Sequence, residues 1–203
     1  PFRSQRAGRG FSAAPRARLT LVTANMLAAL LFSAALLSGC GKDAPPPAPA
    51  ATPPPLVFTA AHASNALRHV TAFVTACTPR DAGTAEGERA ALWLGERLSA
   101  AGLSVTLDRF TDPTPHGHKP FVNVTATLPG SGGEWVVLLS HFDTMSGIGA
   151  GFQGANDGGS STGLLLALAE LLQAAAPRRV NVLCAFLDGE ECRLAYSDRD
   201  GFH

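Results

Sequence analysis

Residues 180–191 read VNVLCAFLDGEE, an apolar run that ends in a cluster of acidic side chains. The short apolar run 180–185, bounded by polar residues, predicts a buried β-strand. Two adjacent carboxylates, Glu190 and Glu191, come shortly after it. Their charges are costly at the end of a hydrophobic strand unless a positive group lies beside them. A divalent metal in a cleft would meet that need, with one glutamate as ligand and the other moving protons; a solvated turn is the alternative.

The residues upstream of this strand predict an α/β domain over residues 56–203. Apolar side chains recur at helical spacing in three segments and alternate, or run together, in three others. The predicted helices are 63–76, 85–101 and 160–175, and the predicted strands are 103–107, 121–128 and 135–139. Thr84 is the predicted N-cap of the second helix, because Glu86 and Glu88 follow in what would be its first turn.

The last elements predict the topology of the sheet. A strand at 135–139, a helix at 160–175 and the strand at 180–185 follow one another, which predicts a right-handed crossover between parallel strands. Residues 135–139 read WVVLL, an uninterrupted apolar run that is typical of a strand covered on both faces. We therefore expect a mostly parallel central sheet flanked by helices.

Polar side chains collect where the predicted parallel strands end. The third strand leads into His141 and Asp143, and the fourth leads into Glu190 and Glu191. Asp157 precedes the helix between those strands. Ligands of such sheets bind outside the carboxyl ends of the strands, so these side chains are expected to surround one point. They are nitrogen and oxygen donors that zinc accepts, and the sequence therefore predicts a zinc site.

Simpler interpretations exist for single residues. His141 alone would fit a hydrogen-bonded core histidine, and Asp157 alone would fit a helix cap. Glycines in 149–154 match GxGxxG, but no strand leads into them, which disfavours dinucleotide binding. Lysines and arginines equal acidic residues at 16 each, so the composition does not suggest a nucleic-acid partner. The four cysteines lack CxxC spacing, so a cysteine zinc site is not expected.

The N-terminal residues predict export. Residues 1–40 place a basic lead before the apolar segment 19–38, and they end in Leu-Ser-Gly-Cys, which resembles the lipobox of bacterial lipoproteins. Cys40 is then the lipidated residue, although a transmembrane anchor of similar length is the alternative. Residues 41–55 are a proline-rich linker that favours extended polyproline II. The sequence thus predicts a lipid-anchored, exported protein of a bacterial cell envelope.

Three short motifs, in this order and spacing, resemble the zinc exopeptidases of the aminopeptidase and glutaminyl cyclase superfamily. They are HFD at 141–143, GAND at 154–157 and DGEE at 188–191. Two segments, TPHGHKPFVN at 114–123 and FLDGEE at 186–191, are more similar to the glutaminyl-peptide cyclotransferases. Residues 192–203 are similar to an insertion found in the cyclases. The resemblance implies a zinc-exopeptidase, phosphorylase/hydrolase-like α/β fold for residues 56–203.

The resemblance also implies a role for each polar residue. Asp157 and Glu191 match zinc ligands, and Glu190 matches the general acid/base. His141 matches a ligand of the second metal in the aminopeptidases, and Asp143 matches the residue that orients that histidine. The family's remaining ligands, a histidine and an aspartate, lie downstream, so a chain that ends at His203 is expected to be a truncated form with an incomplete site. The start at Pro1 implies either a fragment or a mis-assigned N-terminus.

Three functions follow from the resemblance. A glutaminyl cyclase would use one zinc ion and convert an N-terminal glutamine of a peptide or protein to pyroglutamate, releasing ammonia. An aminopeptidase would use two zinc ions and cleave the first peptide bond with water. A binding lipoprotein would keep the fold without catalysis. Glu190 would serve both reactions, so the motif does not distinguish the cyclase from the peptidase.

Overall fold

The computed structural model describes residues 57–149, 151–175, 177–197 and 200–203. The predicted signal segment 1–40 with Cys40, and the linker 41–55, lie outside these residues and stay predictions. The helices are α1 (Ala60–Ala76), α2 (Ala85–Ala100) and α3 (Gly159–Ala174), and the strands are β1 (Ser104–Thr114), β2 (Gly117–Leu128), β3 (Trp135–His141) and β4 (Asn181–Leu187). Within the described part of the chain, none of the helices has the length and apolarity needed to span a membrane.

The four strands form one sheet in the order β1-β2-β4-β3. β3 and β4 are parallel and are connected through α3, as predicted, and the α/β fold class is confirmed. The sheet is less parallel than expected, because β1 pairs antiparallel with β2 and β2 pairs antiparallel with β4. The reason is local: only two residues separate β1 from β2, and so short a connection can join only antiparallel strands.

Helix α2 shows how local signals set an element's ends. The Thr84 side chain accepts the amide of Gly87 at 3.1 Å, which satisfies one of the free N–H groups of the first turn. At the other end, Gly102 has a φ of +82° and closes the helix through its amide to the Ser99 carbonyl. The predicted boundaries are therefore within one residue of those observed.

One hydrophobic core lies between the helices and one face of the sheet. Its largest fully buried apolar side chains are Phe73, Leu94, Leu98, Val124, Leu128, Phe142, Leu166 and Phe186. In β2 the buried positions alternate from Val122 to Leu128, so every second residue faces the helices. Each fully buried side chain of this size stabilises the fold by roughly 1.5–3 kcal/mol.

The prediction that β3 is covered on both faces is wrong for the described part of the chain. Trp135, Val137 and Leu139 are each more than half exposed. β3 is the edge strand of the described sheet, and the helices that form the core do not reach these three side chains. Leu138, which points the other way, packs against the core.

Candidate active site

Three loops meet at the carboxyl ends of β3 and β4. They are residues 141–143, which begin at the last residue of β3, residues 154–158 before α3, and residues 188–191 after β4. The sequence prediction that their polar side chains converge agrees with the geometry: one ligand atom each from His141, Asp157 and Glu191 lies within 4.8 Å of the others. Imidazole and carboxylate donors are a set that zinc accepts, so these residues fit that ion. Their roles as ligands stay predictions.

Asp143 is the buried centre of this arrangement. Its carboxylate is fully inaccessible, and it accepts the backbone amides of Glu190 at 3.3 Å and Glu191 at 2.9 Å. It also lies 3.5 Å from Nδ1 of His141, which is longer than a good hydrogen bond. The predicted role of Asp143 was to orient His141. The structure adds a second role, since Asp143 holds the backbone of both glutamates.

His141 lies between three carboxylates. Its Nε2 is 3.1 Å from Oδ1 of Asp157, and its Nδ1 is 3.8 Å from Oε2 of Glu190. The Asp143 carboxylate raises the pKa of His141, burial opposes this, and Glu190 and Asp157 add smaller contributions that raise it. His141 is therefore not an isolated core histidine.

A glycine lets the chain pass close to this histidine. Gly158 has a φ of +69°, and a Cβ there would lie 3.0 Å from the Asp143 carbonyl oxygen and 3.1 Å from the His141 ring. Gly158 is also the N-cap of α3, and no side chain caps that helix. The capping alternative for Asp157 is therefore wrong, and its side chain, 70% exposed, faces His141 instead.

The two adjacent glutamates differ in environment. Glu191 is only 8% exposed, and its Oε2 accepts a hydrogen bond from the Tyr196 hydroxyl at 2.6 Å. The Glu190 side chain is 34% exposed. Burial raises the pKa of Glu190, with Glu191 and Asp143 adding to the effect and His141 opposing it. A raised pKa suits a carboxyl group that exchanges protons near neutral pH.

Asp188 fastens the end of β4 to β2. Its Oδ2 accepts the amide of Val122 at 3.0 Å, and its own amide donates to Oδ1 of Asn123 at 2.9 Å. Burial raises the pKa of Asp188 to about 7, although the amides of Val122, Gly189 and Gly83 act in the opposite direction. Gly189, with a φ of +82°, then turns the chain towards the glutamates.

Arg80 is a site-supporting residue that the sequence did not reveal. It is fully buried, and it donates to the carbonyls of Phe142 at 2.5 Å, Gln153 at 2.5 Å and Gly154 at 2.9 Å. One side chain thus joins two of the three site loops. Its segment, CTPRDAG at 77–83, has only the pattern of a turn, and no local signal marks the arginine. Its partners lie 62 to 74 residues away along the chain.

Residues 192–197 and 200–203, the described part of the chain after Glu191, contact the glutamates, and we call them the return loop. Asp200, 1% exposed, accepts the amides of Arg193, Leu194 and Ala195 at 2.6–2.9 Å. The amide of Phe202 then donates to the Glu190 carbonyl at 3.2 Å, and the amide of His203 donates to the Gly189 carbonyl at 2.8 Å. The return loop therefore holds the backbone of Gly189 and Glu190.

The end of the return loop is fixed to the β1–β2 hairpin. Nδ1 of His203 lies 2.9 Å from Oδ2 of Asp112, and its ring stacks on Phe121 with centroids 4.7 Å apart. His203 is therefore part of the support of the loop and does not join the candidate ligands.

Comparison with known proteins agrees with this geometry. Residues 123–199 match the sequence model of Peptidase family M28. This segment contains all five predicted site residues: His141, Asp143, Asp157, Glu190 and Glu191. The predicted resemblance to glutaminyl cyclases of the zinc aminopeptidase superfamily is confirmed.

Relatives of known name point the same way. The glutaminyl-peptide cyclotransferase-like protein of Bos taurus is 34% identical over 117 residues, which are 53% of this chain and 30% of that protein. The crystal structure of an Acidobacteriales bacterium glutaminyl cyclase superposes with a TM-score of 0.63 at 28% identity, over 74% of this chain and 53% of that one. A Zn-dependent exopeptidase from Parabacteroides distasonis, at 24% identity and a TM-score of 0.56 over 67% of this chain and 50% of that one, shares the fold. This chain thus spans about half, or less, of the length of these proteins.

Proposed function

We propose that the site is that of a zinc-dependent glutaminyl-peptide cyclotransferase, which cyclises N-terminal glutamine to pyroglutamate and releases ammonia. The site supports metal-assisted chemistry through Glu190, a partly exposed carboxyl group beside the cluster of His141, Asp157 and Glu191, and the choice of the cyclase over the aminopeptidase rests on the relatives. The cyclases named above support this choice.

Asp157 and Glu191 would hold the zinc ion. Bound zinc would supply a Lewis acid that polarises the γ-carbonyl of the glutamine. The Asp143 carboxylate holds Glu191 by accepting the Glu191 backbone amide. The Arg80 guanidinium holds the loop of Asp157 by donating to the Gly154 carbonyl. The residues around the donors are thus fixed by contacts that do not themselves involve a metal.

Glu190 would move the proton of the reaction. The substrate's α-amine attacks its own γ-carbonyl carbon, so a C–N bond forms and the bond to the amide nitrogen breaks. Glu190 accepts a proton from the attacking amine and donates it to the departing nitrogen, which leaves as ammonia. Glu190 would act first as base and then as acid, and its partial exposure leaves it accessible to a peptide N-terminus.

The second candidate is a two-zinc aminopeptidase, and one observation favours it. His141, which would be a ligand of the second metal, lies in the same cluster as Asp157 and Glu191. In that reaction Glu190 would deprotonate the attacking water, and Asp157 would bridge two ions.

The decisive experiment incubates the full-length protein with zinc and with peptides that begin with glutamine or with other residues. Ammonia and a pyroglutamyl end from the glutamine peptides, with one zinc per chain, support the cyclase. Free amino acids, with two zinc ions per chain, support the aminopeptidase. Zinc binding without either product supports a binding protein. The Glu190→Gln variant is the control: it should bind zinc as tightly as the wild type and lose turnover, and full activity in that variant would remove Glu190 from the mechanism.

We further propose that the protein is exported and anchored through a lipid on Cys40, on the strength of the leader and lipobox in residues 1–40. Bacterial cells that express the chain with a labelled fatty acid should incorporate the label and hold the protein in the membrane fraction. A Cys40→Ser variant that is still labelled would contradict this proposal.

A further inference from the structure

The hydrogen bond between Tyr196 and Glu191 has no counterpart among the predicted site residues. The phenolic hydroxyl donates to Oε2 of Glu191 at 2.6 Å, the length of a strong hydrogen bond to an ionised acceptor. A carboxylate has two oxygens, and this bond engages one of them. The second oxygen, Oε1, accepts no hydrogen bond from the residues that the structure describes.

The position of the hydroxyl is set by the return loop. The Asp200 carboxylate accepts three successive amides, from Arg193 to Ala195. These bonds fix the backbone that directly precedes Tyr196. The ring of Tyr196 packs against Phe202 with centroids 5.6 Å apart. Gly201 allows this close approach, since a Cβ there would lie 2.6 Å from the tyrosine ring.

The same loop is tied to the glutamates through the backbone. The amides of Phe202 and His203 donate to the carbonyls of Glu190 and Gly189. Tyr196 and Glu191 therefore belong to one folded unit, although Tyr196 itself is 53% exposed.

We propose that Tyr196 is a positioning residue for Glu191: its hydroxyl holds Oε2 so that the other oxygen is presented to the metal. This inference rests on the zinc site of the proposed function. A carboxylate that is already held loses less side-chain freedom when it binds an ion, so removing the hydroxyl should weaken zinc binding. Loss of an outer hydrogen-bond partner of a metal ligand typically weakens metal binding by about 10–100-fold.

The test compares the zinc affinity of the wild-type chain and the Tyr196→Phe variant by competition with a chelator. The phenylalanine keeps the ring that packs on Phe202 and removes only the hydroxyl. We expect at least a roughly tenfold rise in the zinc dissociation constant, together with a lower urea midpoint of the zinc-free protein, because the nearly buried Glu191 loses a donor. Thr71→Val is the matched control, because it removes a hydroxyl on α1 that bonds the Leu67 carbonyl, and it should leave the affinity unchanged.

A second measurement keeps the proposal testable even if the variant folds poorly. Tyr196 is the only tyrosine of the chain, so the tyrosine band of the near-ultraviolet spectrum reports on this hydroxyl. Zinc should change that band in the wild type and in Glu190→Gln, and should not change it in Glu191→Gln.

The outcomes separate the two proposals. Wild-type chain that binds zinc with no change in the tyrosine band, or Tyr196→Phe that binds zinc as tightly as the wild type, overturns the role of Tyr196 and leaves the zinc site standing. Wild-type chain that binds no zinc overturns the zinc site and the positioning role together.

Discussion

Glu191 and Asp157, the two predicted zinc-binding carboxylates, are held in opposite ways. We call residues 188–191 together with Asp143 the β4 side of the site. There Glu191 is nearly buried, its amide donates to the Asp143 carboxylate, and its Oε2 accepts a hydrogen bond from the Tyr196 hydroxyl. On the α3 side (residues 154–158), the Asp157 side chain is mostly exposed and its contact is with Nε2 of His141. One predicted ligand is thus fixed by the fold, whereas the side chain of the other is exposed and free to adjust.

This difference follows from the hydrogen-bond donors that a carboxylate needs in each environment. A buried carboxylate is stable only when donors surround it, so the β4 side carries a dense set of amide and hydroxyl donors. An exposed carboxylate is solvated by water and needs none. The β4 side should therefore govern the stability of the fold, and the α3 side should affect only what the site binds.

The largest expected effect is the loss of Asp143. In Asp143→Ala the amides of Glu190 and Glu191 lose their acceptor in a buried place, and we expect a loss of about 3–4 kcal/mol in the free energy of unfolding. Urea denaturation measures it. Asp108→Ala, which removes an exposed carboxylate of β1, is the control and should change stability by less than about 0.5 kcal/mol. If Asp143→Ala also lost less than about 0.5 kcal/mol in the free energy of unfolding, the β4 side would not govern the stability of the fold.

The next effect concerns pH. The pKa of Asp188 is about 7 in the folded protein and 3.8 as the ordinary value, so the folded state binds this proton more tightly. Its stabilising contribution is complete below about pH 4 and is lost as the pH rises through about 7. The wild type should therefore lose stability, relative to Asp188→Asn, as the pH rises across that window.

Urea denaturation of both proteins at a series of pH values checks this prediction. The Asp108→Asn variant should follow the wild-type profile, because its carboxylate is exposed in the native state. Parallel profiles for the wild type and Asp188→Asn would mean that folding does not raise the pKa of Asp188.

The smallest effect on stability is expected on the α3 side. Asp157→Ala should change the free energy of unfolding by less than about 0.5 kcal/mol, since the side chain is exposed. The same variant should bind zinc at least about tenfold more weakly, because it removes a predicted ligand. Chelator competition and urea denaturation on one sample measure both quantities. A large loss of stability in Asp157→Ala would show that the α3 side also contributes to the stability of the fold.

The sequence predicted the elements better than the way they are covered. The helical period of α2, the Thr84 cap and the terminal Gly102 are local signals, and the structure agrees with them closely. The exposed face of β3 was missed because an apolar run reports that a strand can be buried, and not which neighbours exist to bury it. The antiparallel pairing of β1 and β2 was missed because their strands were predicted too short for the tight turn between them to be seen.

The sequence by itself determined the chemistry of the site: its residue types, their place at the ends of β3 and β4, and their resemblance to the zinc aminopeptidase and glutaminyl cyclase superfamily. Only the tertiary structure decided what supports them. Arg80 reaches the carbonyls of Phe142 and Gly154, and Asp143 holds the amides of both glutamates. Motifs can be read from neighbouring residues, but these contacts join residues 47 to 74 positions apart, and packing alone brings such residues together.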